Sequence, residues 1–147
     1  MALRYRMVWV GRRAREPLVE AAQDYLTRLG HYATVSLTRI KDGTMDDERR
    51  AIERHLGEGT EVVALEVGGV QLTTPDVVVQ VRRWQESQAS VTFLVGGADG
   101  LHSALRARAQ RTWGLSGLTL PHRLAQVLLV EQLYRAHTIL RGEPYHR

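Results

Sequence analysis

Short apolar runs suited to strands alternate, from one end of the chain to the other, with segments whose apolar residues recur every three or four positions. "YRMVWV" is the first such run and is ended by Gly11. After Pro17, "LVEAAQDYLTRLG" places Leu18, Ala22, Tyr25, Leu26 and Leu29 on one helical face, with Gly30 as a stop. "ATVSLTRI" alternates as a strand does, and "MDDERRAIERHLG" opens on acids that suit a helix N-terminus. "EVVALEV", closed by Gly68 and Gly69, is apolar enough for a strand covered on both faces. "TTPDVVVQVRRWQES" predicts a helix capped by Thr74 with Pro75 at its first position, and "SVTFLVGG" predicts another buried strand. "LHSALRARAQRTW" reads as a polar helix, "GLSGLTL" as a strand or a loop, and a last helix runs from about Pro121 to about Leu140.

This alternation predicts an α/β fold with a mostly parallel sheet and helices on both faces. The 147 residues suffice for one domain, residues 1–147, and no linker or repeat divides them. Ligands of such sheets sit beyond the carboxyl ends of the strands. The turns to inspect therefore follow Val67 and Val95 and span Leu115 to Leu120.

Composition narrows the chemistry. Cysteine is absent, which excludes disulfides and thiolate metal sites, and His31, His55, His102 and His137 show no metal-ligand spacing, so no metal is expected. No apolar run approaches the ~20 residues of a membrane span. The first residues offer only four apolar positions in a row, too few for a signal peptide, and a cytoplasmic protein is expected. Lys41 is the sole lysine among 20 basic residues. Arginine suits phosphates and stacks on bases, but genomic base composition enriches it equally well, so RNA is permitted without being required. Arg12, Arg13 and Arg15 after the first strand are suited either to phosphates or to a solvated turn.

"FLVGGADGL" joins a strand to a helix, where backbone N–H groups can approach a ligand. It is no dinucleotide fingerprint: the glycines do not fit G-x-G-x-x-G, the strand comes late, and no acid occurs between Asp99 and Glu131. A purely structural turn fits as well as a ligand turn. In "LSGLTL", Gly117 exposes backbone that can read the edge of a flat heterocycle, with Leu115, Leu118 and Leu120 against its faces, while spacing alone also allows an ordinary edge strand. In the last helix, Val127, Leu128, Leu129 and Val130 are consecutive and go all the way round, which calls for a deep position or a partner subunit. Glu131 and Arg135 are spaced for an ion pair.

Together, "FLVGGADGL", "LSGLTLPHRLAQVLLVEQLYRAHTI" and the ending "PYHR" resemble the RlmH-type methyltransferases of the SPOUT superfamily, which methylate N3 of a pseudouridine in large-subunit ribosomal RNA. The resemblance covers the whole chain and is densest from Val91 to Arg147. The segment from Asp42 to Glu61 is shorter and less lysine-rich than in many members, and "GGADG" stands where relatives often have "GGPEG". The resemblance implies a C-terminal trefoil knot, which periodicity does not reveal because knots run against ordinary connection rules. It implies an S-adenosylmethionine pocket at Leu65, Gly96, Leu115, Ser116, Gly117, Leu118, Thr119 and Leu120, and a homodimer packed through the knot. It also implies a tail that brings Tyr145, His146 and Arg147 to the target base. On that footing Arg147, and Arg135 if it faces the pocket, would favour the ionised base, His146 would accept its proton and Tyr145 would stack on it, the alternative being that the three tail residues only position RNA through stacking and charge. A non-catalytic RNA-binding or ribosome-assembly module on the same scaffold is the alternative.

Overall fold

The computed structural model of the chain describes residues 2–147. Five strands form one sheet in the order β2-β1-β4-β3-β5, and every pairing is parallel. They are β1 (Arg4–Val10), β2 (Thr34–Ile40), β3 (Glu61–Gln71), β4 (Ser90–Val95) and β5 (Arg111–Gly114). The helices between and after them are α1 (Pro17–Leu29), α2 (Met45–Glu53), α3 (Thr74–Ser87), α4 (Ser103–Arg108) and α5 (His122–Leu140).

Crossover handedness decides which helix covers which face. The steps β1 to β2 and β3 to β4 run one way along the sheet, and β2 to β3 and β4 to β5 run the other. Right-handed crossovers then put α1 and α3 on one face and α2 and α4 on the opposite one. The packing agrees. Ala22 and Leu26 of α1, Val81 and Trp84 of α3, and Leu129 and Leu133 of α5 share a core with Tyr5, Trp9 and Phe93 of the sheet. Ile52 of α2 and Leu105 of α4 pack on Val8, Val10 and Leu94 from the other side. Among the described residues no helix is long and apolar enough to cross a membrane.

Local chemistry fixes most boundaries. Pro17 opens α1, and the Thr44 hydroxyl caps α2 by accepting from the Asp47 N–H at 3.1 Å. The cap of α3 is Thr73, not Thr74. Thr73 and Asp76 exchange side-chain-to-backbone bonds as a capping box, which frees the Thr74 hydroxyl to donate to Gln132 Oε1 of α5 at 2.7 Å.

Two expectations fail at the sheet edge. The helix expected through Trp113 stops at Arg108, and Arg111–Gly114 pair with β3 instead. The Gln110 N–H donates to the Val62 carbonyl at 2.9 Å and the Val62 N–H to Gln110 Oε1 at 2.6 Å, which pulls the chain into the sheet. Trp113 is thereby buried, stacked on Trp84 with ring centroids 5.6 Å apart. Nor does β3 end at Val67: it continues through Gly68 and Gly69 to Gln71, with a register shift against β5 between Leu65 and Val70. A Cβ on Gly69 would lie 2.8 Å from the Trp113 carbonyl carbon, so glycine is what lets the two backbones meet.

Candidate active site

The irregular middle of β3 (residues 65–67), the carboxyl ends of β4 and β5 and the start of α5 surround an open pocket of about 510 Å³, within the range of small-molecule sites. Seven of the eight positions expected to hold the cofactor line it: Leu65, Gly96, Leu115, Ser116, Leu118, Thr119 and Leu120. Gly117 lies within the same loop with open space beside its backbone. The stretch Leu115–Leu120 is a loop, not a strand, and the Ser116 hydroxyl steadies it by accepting from the Leu118 N–H at 2.9 Å. Leu118 is 74% exposed, an apolar side chain in the pocket lining.

The turn after β4 is both structural and a pocket wall. A Cβ on Gly96 would fall 2.4 Å from the carbonyl carbon of Gly100, so the turn closes backbone on backbone. Gly97 and Gly100 bridge, and Gly100 holds φ +78. Spacing alone did not mark Glu66, Trp113, His122 or Ala125, which also line the pocket. Trp113 near the end of β5 and His122 and Ala125 in the first turn of α5 follow from position at strand and helix ends, whereas Glu66 lies inside β3 at its register shift, which no sequence signal marks. Glu66 meets Arg106 at 3.3 Å through Oε1, while its Oε2 is buried without a hydrogen-bond partner among the described residues.

The tail forms a second cluster, against α5 and α1. The Tyr145 hydroxyl donates to Glu131 Oε2 at 2.8 Å and lies 3.1 Å from the Tyr25 hydroxyl. Burial, and then these bonds, push its ionisation well above the ordinary phenol range. Arg135 holds Glu131 at 2.8 Å, sits 4.8 Å from the Tyr145 ring centroid, and donates to His146 Nδ1 at 3.0 Å. The expected ion pair of Glu131 with Arg135 is therefore present, and the pairing raises the Arg135 guanidinium above its ordinary value. A neutral His146 that accepts at Nδ1 carries its proton on Nε2. With Nδ1 taken by Arg135 and Nε2 bearing the hydrogen, this tautomer has no ring lone pair free for another donor. None of Tyr145, His146, Arg147 or Arg135 is among the residues lining the pocket of the same chain.

Of the four consecutive apolar residues in α5, Leu129 and Val130 are fully buried, whereas Val127 and Leu128 are only partly so. Leu124, Leu128, Glu131 and Arg135 fall on one stripe by their spacing. The tail covers the Glu131–Arg135 half of that stripe, and Leu124 and Leu128 join neither core cluster of the described residues. Among those residues no group of three or more His, Asp or Glu side chains is placed to hold a metal ion.

Comparison with known proteins places this geometry. The family model described as "Predicted SPOUT methyltransferase" matches residues 3–146. A protein of Polynucleobacter asymbioticus named ribosomal RNA large subunit methyltransferase H is 42% identical over 146 residues, covering 99% of both chains. One of the same name from an Anaeromyxobacter species is 42% identical over 153 residues, covering 99% of this chain and all of its own. Among solved structures, a probable methyltransferase from Bordetella pertussis superposes with a TM-score of 0.59 at 14% identity, covering 91% of this chain and 96% of that one. The SpoU methyltransferase AviRb from Streptomyces viridochromogenes, solved in complex with AdoMet, superposes at 0.50 and 15% identity, covering 90% of this chain and 57% of that one. Those two likenesses concern the fold alone, while the near full-length identities and the family model reach further: the chain belongs to the SPOUT methyltransferase family.

Proposed function

We propose that the protein transfers a methyl group from S-adenosylmethionine to N3 of a pseudouridine in large-subunit ribosomal RNA, acting as a homodimer in the cytoplasm. The observation that carries this reading is the pocket walled by β3, β4 and β5, in a chain whose full-length relatives are named for that RNA. The lining suits the cofactor. Leucines offer apolar faces to an adenine, the Gly117 backbone is open to its edge, and the partnerless oxygen of Glu66 is an acceptor of the kind a ligand hydroxyl satisfies. A trefoil knot in the C-terminal segment belongs to the same reading.

When bound, S-adenosylmethionine supplies a methyl group on a positively charged sulfur. The harder task falls to the chain. The N3–H of a pseudouridine ionises roughly two to three units above neutrality, so presenting the anion at pH 7 costs about 3–4 kcal/mol. Guanidinium groups lower that cost, and Arg135 and Arg147 stand beside Tyr145 and His146 to do so. Across a two-fold axis, antiparallel contact of two α5 helices would bury Leu124 and Leu128. It would also bring the tail of one copy towards the pocket end of α5 in the other. His146 then accepts the proton once Arg135 transfers its hydrogen bond to the base, and Tyr145 stacks on the base.

Methylation of ribosomes from cells lacking this protein tests the reading. Mass mapping of the RNA after incubation with the protein and S-adenosylmethionine is expected to find one new methyl on a pseudouridine. Its absence, with tight binding of ribosomes but no heat on titrating the cofactor, would favour the non-catalytic module. His146→Ala is expected to slow single-turnover methylation by about 10²–10⁴-fold, and an unchanged rate would remove His146 from the mechanism.

A further inference from the structure

Five cations converge at the sheet edge beside the pocket, with little to neutralise them. The loop from β1 to α1 contributes Arg12 and Arg13, the end of β2 contributes Arg39 and Lys41 just after it, and the first turn of α5 contributes Arg123. Backbone contacts hold these segments together. The Gly11 N–H donates to the Ile40 carbonyl at 2.8 Å, and a Cβ on Gly11 would lie 3.5 Å from His122 Nε2. Strand alternation turns Arg39 to the face of α1 and α5, because its register partner Trp9 is buried on that face while Ile40 faces the opposite core. Among the described residues Glu16 is the one carboxylate paired with any of the five, and its partner is Arg123. The first turn of α5 contains no acid, where the helix dipole ordinarily attracts one. Burial, and then the charges of Arg123 and Arg13, hold the Arg39 guanidinium below its ordinary value. The cluster is short of an anion.

Resting on the reading of the chain as an RNA methyltransferase, we propose that this cluster grips the phosphodiester backbone of the RNA, which enters over the loop between β1 and α1. His122 belongs both to this edge and to the pocket lining, so the phosphates held here are those flanking the nucleotide at the pocket. A chain of phosphates fits cations spread over three segments, and arginine's planar fork matches each phosphate. An anionic membrane fits less well. Of the exposed large apolar residues, Val70 and Val79 belong to β3 and α3, away from this edge, and Val67 and Leu118 line the pocket, so two separate side chains are the apolar surface near the cations, too little to insert.

The test is fluorescence anisotropy of the full-length protein with a labelled single-stranded oligoribonucleotide containing pseudouridine, over a series of NaCl concentrations. The R13Q/R39Q pair is expected to weaken binding about tenfold at low salt and to flatten the log–log salt slope by about 1.4, near 0.7 per lost phosphate contact. R54Q/R82Q, at exposed arginines on other parts of the surface, is expected to bind within twofold of the parent. Calorimetric binding of S-adenosylhomocysteine is expected to be the same in all three. The exposed pair R12Q/K41Q carries the same expectation as R13Q/R39Q should loss of Arg39 disturb the edge strand. RNA binding by both cluster variants within twofold of the control would overturn the proposal while leaving the methyltransferase reading intact. So would loss of phosphatidylserine-vesicle binding with RNA binding unchanged. A parent protein that binds neither RNA nor S-adenosylhomocysteine would overturn the methyltransferase reading itself.

Discussion

His137 shows how one buried side chain can set the acid limit of the fold. It is fully buried in α5, with Nε2 2.9 Å from the Tyr5 hydroxyl and Nδ1 3.2 Å from Gln85 Nε2, and it stacks on Tyr32. Burial, and then the charge of Arg141, push the imidazole down to about 4. The unfolded chain, titrating near 6.5, therefore takes up this proton first as the pH falls. The stability linked to neutral His137 is complete above about 6.5 and is lost as the pH drops towards 4, amounting to roughly 3 kcal/mol. Urea unfolding from pH 8 to pH 4.5 is expected to show a steeper loss of stability in the parent than in His137→Gln, which cannot titrate. Parallel curves would show that the histidine is not the titrating group. Nothing in the sequence flags this residue, because its neutrality comes chiefly from burial, which partners as distant as Tyr5, 132 positions away, help to create.

At the level of elements, legibility followed the number of neighbours that decide each one. Helices α1 and α3 begin at prolines and threonines whose role is local, so spacing finds them, to within the one-residue difference between Thr74 and Thr73. Residues 101–113 are different. Leu101, Leu105, Ala109 and Trp113 recur every four positions and imitate one helix face, yet Leu101 and Leu105 pack on one side of the sheet and Trp113 on the other. Bonds from Gln110 to β3 settle the matter, and periodicity cannot register a partner that far away. The same limit applies to α5. Its all-round apolar run suggests burial on every side, and Leu124 and Leu128 are among the apolar residues of the helix that one chain leaves only partly buried and outside both core clusters of the described residues. Leu128→Glu is expected to leave helix content unchanged and, with the proposed homodimer seen for the parent in sedimentation velocity, to turn it into a monomer, because a charge buried without a partner is strongly disfavoured across such a contact. A dimer of unchanged strength would place the interface elsewhere.

For the whole molecule, the pocket is the point where distant parts of the chain depend on one another. Its walls come from three strands, the glycine turn, the loop Leu115–Leu120 and the start of α5. Alternation of strands and helices points to the turns after Val67 and Val95 and to Leu115–Leu120, and the family resemblance supplies the individual lining residues. Alternation leaves the position of the tail illegible because that rests on Tyr25 and Glu131, contributed by helices at opposite ends of the chain. A ligand that touches all the walls binds only when they are assembled, so its binding energy adds to the stability of the entire fold. S-adenosylhomocysteine at 100 times its dissociation constant is expected to add about 2.7 kcal/mol, or a rise of roughly 5–11 °C in Tm for a chain of this size. Hydrogen exchange is expected to slow most at Leu115–Leu120, a loop held at its start by Leu115 against the core and within itself by the Leu118 N–H bond to the Ser116 hydroxyl. Protection appearing instead at the β2 edge, with the loop unchanged, would move the cofactor out of this pocket. Cooperative stabilisation with protection centred on the loop would show that the free protein holds three of the walls rigid and leaves the fourth for its ligand to order.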